Sequence, residues 1–201
     1  MQAAQTEFYK GFQIAIHYDE DSESPREWDN FGIMYCFHKR YNLGDKHDLS
    51  VEEAEIMAES HFNEALPLYL YDHSEITMST DPFSCQWDSG QVGWIIATEE
   101  QMKKEFGVAR LTREHRAKTR KIMEGEVEAY DQYLTGDIWG YIIEDEDGMH
   151  IDSLWSMYGF DYCLEEARKE VDAHIEREAK KAKAEIERQI KEDSFELQFV
   201  D

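Results

Sequence analysis

The chain reads as an α+β protein: a mainly antiparallel sheet with helices packed on one side and a long C-terminal helix. Three observations predict this. Strand-like runs recur at residues 12–18, 66–71, 76–80, 91–97, 138–143 and 149–155. Two capping boxes, Ser50 with Glu53 and Thr98 with Gln101, open helices between those runs, because each side chain satisfies an orphan backbone N–H of the first turn. An apolar stripe from Leu164 to Ile190 keeps helical spacing through the last part of the chain. The matching division is an α+β core over residues 1–159, followed by a long helix and tail over 160–201.

Taken in order, residues 12–18 alternate apolar and mixed side chains, and residues 32–37 are the expected antiparallel partner. The acidic loop between them, 19–30, is long for a hairpin. The helix after Ser50 places Ala54, Met57, Ala58, His61 and Phe62 on one face. The helix after Thr98 ends near Gly107. A longer helix begins at Thr112, carries Thr119, Met123, Val127, Tyr130 and Leu134 on one stripe, and stops at Gly136. Residues 138–143 and 149–155 form a hairpin across an acidic turn. Asp161 is the expected cap of the last helix, which runs to about Lys191. Its stripe (Leu164, Ala167, Val171, Ile175, Ala179, Ala182, Ile186, Ile190) advances by 3, 4, 4, 4, 3, 4 and 4 residues, so it winds only slowly about the axis. The second half offers little but Ala and Ile between charges. That suits a helix projecting from the domain or pairing with another chain, and equally one lying across the sheet.

The 201 residues are enough to bury a core. Net charge is −24, yet five Trp, ten Phe and eleven Tyr argue against an acidic disordered chain, which would be poor in aromatics. Cys36, Cys85 and Cys163 form an odd set without CxxC spacing, as expected of free thiols in a reducing compartment. A polar start and the lack of a long apolar run predict a cytoplasmic protein without membrane association.

Charge is distributed unevenly. Between Lys46 and Lys103 there is no Lys or Arg, while twelve residues are acidic: Asp48, Glu52, Glu53, Glu55, Glu59, Glu64, Asp72, Glu75, Asp81, Asp88, Glu99 and Glu100. Such a field repels nucleic acid and attracts a basic protein face. The opposite holds from Lys103 to Lys121, where eight basic residues stand against two acidic ones, and Arg113, Arg116 and Arg120 share a helical face. That face either contacts phosphate or pairs with the protein's own carboxylates. The surrounding acidity favours the second.

No enzyme signature stands out. His73, Cys85 and Asp88 have the residue types of a thiol–imidazole site, but their spacing matches no known motif and an acidic setting disfavours a thiolate. Cys85 reads more simply as packing. The groups His17, Asp19, Glu20, Asp21 and Asp45, His47, Asp48 lack calcium-loop and zinc-helix patterns and read as solvated turns, so neither a metal nor a cofactor is expected. Trp94, Trp139 and Trp155 fall in strands and read as core. Trp28 and Trp87 lie in polar loops and are candidate partner anchors. With the acidic residues Glu52, Glu55, Glu59, Asp72, Glu75, Asp81 and Asp88, they make up the expected partner-binding set.

Three stretches carry a resemblance: Ser24-Pro25-Arg26-Glu27-Trp28-Asp29-Asn30 through Arg40-Tyr41-Asn42-Leu43-Gly44-Asp45, residues 71–94, and Tyr130-Asp131-Gln132-Tyr133-Leu134-Thr135-Gly136-Asp137 to Tyr141. Together they resemble a family of acidic proteins encoded by bacteriophages and mobile elements, without assigned activity. The resemblance implies a phage context, in which small acidic proteins act against host defence as anti-CRISPR or anti-restriction factors. The expectation is a DNA-mimicking inhibitor that binds a basic nucleic-acid enzyme of the host, itself binding no nucleic acid, with a possible homodimer through the last helix. The alternatives are a small enzyme or nucleotide-handling protein using residues 72–90, and a phage accessory protein whose acidity is not mimicry.

Overall fold

The computed structural model describes residues 2–85 and 87–196, with side chains through Lys191. In chain order its elements are β1 (Gln5–Tyr9), β2 (Phe12–Tyr18), β3 (Ile33–Cys36), α1 (Val51–Glu59), β4 (Glu64–His73), β5 (Glu75–Ser79), β6 (Ser89–Ala97), α2 (Glu99–Phe106), α3 (Arg113–Thr135), β7 (Ile138–Glu144), β8 (His150–Tyr158) and α4 (Phe160–Glu196), with a 3-10 turn at Pro25–Glu27. All strand pairings are antiparallel, and the fold is α+β.

The strands make two four-stranded sheets rather than one, ordered β1-β2-β7-β8 and β3-β6-β4-β5. The chain accordingly groups into two compact units and not into a core ending at 159 plus a helix. One unit joins the residues before Glu20 to those after Asp137; the other is the inserted segment Glu20–Asp137. β2 and β7 pair directly although the whole inserted unit lies between them in sequence. The expected pairing of residues 12–18 with 32–37 is therefore corrected: β3 pairs with β6, Ile33 opposite Ile96. The long acidic loop is the passage from one unit to the other, which is why it exceeds hairpin length.

In the split unit, β1 and β2 turn on Lys10 and Gly11, both at positive φ, the two-residue loop that matches strand twist. β1 was not legible in the sequence, because its polar side chains and the largely exposed Phe8 give no buried face. α4 lays Cys163, Leu164, Ala167 and Val171 against Ile14, Ile16, Trp139, Tyr141 and Ile143. The helix begins at Phe160, so Asp161 sits in the first turn rather than at the cap. From Ile175 to Lys191 every residue is exposed, including Ile186 at 57% and Ile190 at 62%. This stretch is steadied by pairs within the helix, Lys181 with Glu178 and Arg188 with Glu185, both at 2.8 Å.

In the inserted unit, helices cover both faces of the sheet, in place of the single side expected. Leu66, Leu68 and Leu70 alternate toward one face, where Met34, Ile95, Met102 of α2 and Met123, Val127 and Tyr130 of α3 complete the main core. Tyr35, Ile96 and Trp94 face the other way, against Ala54, Met57 and Ala58 of α1. α1 and α2 carry the two expected capping boxes, α3 adds one between Thr112 and His115, and α2 and α3 stop at Gly107 and Gly136 in left-handed conformation. α1 ends sooner than its pattern suggested: Ser60 leaves the helix and the Asn63 amide donates to the Met57 carbonyl at 2.9 Å, so His61 and Phe62 lie beyond it. Gly93 sits where β6 crosses β3 too closely for a side chain, since a Cβ there would stand 1.8 Å from the Tyr35 carbonyl oxygen.

One buried cation joins the pieces of this unit. Arg26, its side chain 4% exposed, donates to Asp45 through Nε (3.2 Å) and Nη2 (2.6 Å), to the Gly32 carbonyl (2.7 Å) and to Glu126 of α3 (3.4 Å). Glu126 also accepts from the backbone N–H of Phe31 (2.6 Å) and Gly32 (3.1 Å), and Asp45 from that of Met34 (2.7 Å). Removing the guanidinium would leave two largely buried carboxylates facing each other. Arg26→Ala is expected to cost about 3–5 kcal/mol in urea unfolding of the full chain. Arg26→Lys, which keeps the charge but loses the fork, should cost less without being neutral. A loss below about 1 kcal/mol for the alanine variant would contradict this role.

Candidate functional site

α1 presents two opposite faces. Ala54, Met57 and Ala58 are turned into the sheet, which leaves Glu52, Glu55, Ile56 and Glu59 on the outer surface at i, i+3, i+4 and i+7. All four are exposed, Ile56 at 69%. Phe62, just past the helix, is 51% exposed. The result is an acidic strip with apolar contacts inside it. Sequence reading found the carboxylates but missed Ile56; its place outside the Ala54–Met57–Ala58 stripe was the available signal.

The end of the sheet where β4 turns into β5 and β6 begins gathers a second group. Asp72 accepts the Tyr41 hydroxyl at 3.1 Å and is ion-paired with Arg40, whose guanidinium lies over the Tyr41 ring. Asp88 receives the Cys85 thiol at 3.7 Å and stands 3.3 Å from His73 Nδ1. Tyr71 stacks with His73 and packs against Phe83. Asp72, Trp87, Asp88, His38 and Gln91 line an open cleft of about 340 Å³, with Trp87 96% exposed at its edge.

His73, Cys85 and Asp88 thus do come together, but in an order that does not activate a nucleophile. A thiol is activated when the imidazole takes its proton and a third group orients the imidazole. Here the carboxylate accepts the thiol hydrogen bond and also meets the histidine.

The expected partner residues fall in four places rather than on one surface. Glu52, Glu55 and Glu59 occupy α1. Asp72, Glu75, Trp87 and Asp88 lie at the β4–β5 end, with Asp72 and Asp88 already engaged within the protein, and Asp81 lies past the other end of β5. Trp28, 49% exposed, follows the 3-10 turn beside α3.

The basic segment is partly spent on an internal carboxylate. Arg116 Nη1 and Arg120 Nε hold the two oxygens of Glu64 at 2.8 and 2.7 Å, with the Glu64 side chain 8% exposed. Pairing with the protein's own acid is therefore what two of these arginines do. The two loosely acidic clusters also have structural uses. Asp45 belongs to Arg26, His47 reaches the Cys36 carbonyl at 3.2 Å, and Asp19 accepts from Ser156 N and Oγ at 2.9 and 3.0 Å. Among the described residues no group of three or more His, Cys, Asp or Glu is placed to hold a metal ion.

Residues from the stretches 24–45, 71–94 and 130–141 converge on a single framework. Ser24 caps the turn that presents Arg26; Asp45 receives it; and the Tyr130 hydroxyl accepts from Gly44 N at 3.0 Å. Asp131, next to Tyr130, accepts from Met78 N of edge strand β5 at 2.7 Å. Asp45 does the same for edge strand β3, taking Met34 N while its own N–H donates to the Met34 carbonyl at 2.9 Å. Both open edges of the sheet are thereby blunted by side chains, a device that discourages strand addition. Burial without a counter-charge raises the Asp131 carboxyl above its ordinary range.

Comparison with protein-family models, with curated proteins and with solved structures gives no match. No helix of the described residues is long and apolar enough to cross a membrane.

The three thiols differ in a testable way. Burial, helped by Asp45, pushes Cys36 up to about 12, and burial pushes Cys163 up to about 11. Both thiols stay protonated at pH 8. Iodoacetamide at pH 8 is expected to modify Cys85 first, and Cys36 and Cys163 only in denaturant, as read by peptide mass mapping. Equal labelling of all three in the folded protein would contradict this packing.

Proposed function

We propose that this protein is a binding protein, a phage-type inhibitor whose acidic inserted unit docks onto a basic, nucleic-acid-binding surface of a host defence enzyme in the bacterial cytoplasm. The observation that carries the reading is the α1 strip: Glu52, Glu55 and Glu59 exposed around Ile56, on a helix fixed by its capping box and its apolar inner face. Carboxylates spaced along a rigid helix stand where phosphates would meet an Arg and Lys array. Individually such pairs contribute about 0–1 kcal/mol, so recognition depends on several acting together and on the apolar contact between them. Asp48, Glu75, Asp81 and Glu100 add exposed negative charge within the same basic-free segment.

The enzyme reading, with His73 as base and Cys85 as nucleophile, draws on their shared contact with Asp88, but the order of contacts argues against it. The exposed half of α4 is the second interaction element of the proposal, covering Ile186 and Ile190 against a second copy.

For docking, bacterial lysate proteins retained by immobilised wild-type protein should be released by salt and by duplex DNA. Most should be lost when Glu52, Glu55 and Glu59 are all changed to Gln, and retained by Cys85→Ser and His73→Gln. Equal retention by the triple variant would reject the docking face. Loss confined to the Cys85 and His73 variants would favour the enzyme. For the helix, light scattering of the full chain should give twice the mass expected of one chain, and a version ending at Ala179 should be monomeric; two monomers would reject the dimer.

A further inference from the structure

The split unit contains a cleft that no part of the docking proposal uses. It lies between β8 and α4 and measures about 430 Å³, within the range of small-ligand sites. Its floor is Tyr141 of β7, which pairs across the sheet with Leu154 of β8. Tyr141 is only 4% exposed, and its hydroxyl has no hydrogen bond to any described residue although it lines the cleft. A phenol ordinarily finds a hydrogen-bond partner, and the oxygen of this one is open to the cleft rather than sealed in the core.

Acids surround it. Asp152 lines the wall from β8, and Glu166, Glu170 and Ala173 project from one face of α4 at i, i+4 and i+7. Burial first, then the charges of Asp152, Glu170 and Glu166, push the phenol up to about 12, so it keeps its proton at neutral pH. Two cations are near: Lys169, which also lines the cleft, is held by Glu165 and Glu166 at 2.9 and 2.8 Å, and Arg177, whose charge also acts on Asp152, is bound to Glu170 at 2.5 Å. Asp152 makes no hydrogen bond or ion pair among the described residues. The cleft therefore offers a carboxylate and a phenol oxygen that accept no hydrogen bond from a described residue, and an apolar wall at Leu154, itself 50% exposed.

We infer that this cleft binds an alkylammonium group, with Asp152 and the Tyr141 oxygen accepting its N–H donors and Leu154 and Ala173 flanking its methylene stem. A protonated phenol is a poor ligand for a metal ion, and a hard cation would leave the apolar wall unused. An ammonium on a carbon chain uses both. Such a group comes either from a free diamine or from the lysine side chain of a protein, and the cleft chemistry is the same for both. The inference is independent of the docking proposal, because every residue in it lies outside the inserted unit.

Isothermal titration of the full chain at physiological salt tests it, with 1,4-diaminobutane in one arm and the tripeptide Gly-Lys-Gly, acetylated at its N-terminus and amidated at its C-terminus, in the other. Binding of either probe is expected, weakened about tenfold or more by Tyr141→Phe, which removes an acceptor of a charged donor, and by Asp152→Asn, which removes the negative charge that faces the ammonium. Glu52→Gln, on α1, should leave the affinity unchanged. Binding of the diamine alone assigns the site to a free amine, and binding of the tripeptide alone assigns it to a protein side chain. Thermal melting of Tyr141→Phe, which keeps the ring, confirms that the fold is intact. Absence of binding by both probes, or equal binding to wild type and both variants through general acidity, overturns the inference.

Discussion

The inserted unit depends on one ion cluster, Arg26 between Asp45 and Glu126. Burying these charges yields little net stability by itself, because the cost of desolvation offsets most of the attraction. What the cluster does is fix connectivity. Arg26 comes from the long loop that enters the unit, Asp45 from the segment after β3, and Glu126 from the middle of α3. No apolar contact would hold three such distant pieces in one register so specifically, since hydrophobic burial is non-directional. The guanidinium fork and the backbone N–H groups of Phe31, Gly32 and Met34 supply the direction.

The same cluster explains which features of the fold were legible. Helix ends are local events: Ser50 with Glu53, Thr98 with Gln101 and Gly136 act within a turn of their own helix, and all three appear as expected. Strand existence is nearly local as well. Strand pairing is not, and the pattern of β2 and β3 gives no hint that an entire unit separates them. α1 was overextended because His61 and Phe62 continue its period, while the stop depends on the Asn63 amide reaching back to Met57. Trp155, taken as core, is 36% exposed and lies across Gly140, a position where a Cβ would stand 2.3 Å from its ring. Candidate residues were legible by type but not by arrangement. His73, Cys85 and Asp88 adjoin as their types suggested, whereas Tyr141 and Asp152 approach α4 only through tertiary packing.

A chain of net charge −24 has to place its few cations carefully, and here many point inward or sideways. Arg26, Arg116 and Arg120 serve buried or nearly buried carboxylates; Arg40 serves Asp72; Lys103 serves Glu99. Each such pair removes one acid and one base from what a partner would meet. Acids therefore dominate the surface more than the composition alone implies. Within the basic-free segment the carboxylates separate into two classes. Glu53, Glu64, Asp72, Asp88 and Glu99 cap, pair or bridge, while Asp48, Glu52, Glu55, Glu59, Glu75, Asp81 and Glu100 stand exposed.

α4 follows the same logic with apolar residues. One stripe runs its length with spacing near that of a straight helix, so its face does not rotate away. Up to Val171 that face is core against β2 and β7; from Ile175 the identical face meets solvent. The change comes from the reach of the sheet and not from the helix, whose pattern of Ala and Ile between paired charges continues through it. Periodicity reports the face of a helix. The length of the surface beneath it decides where that face stops being core and becomes available to another molecule.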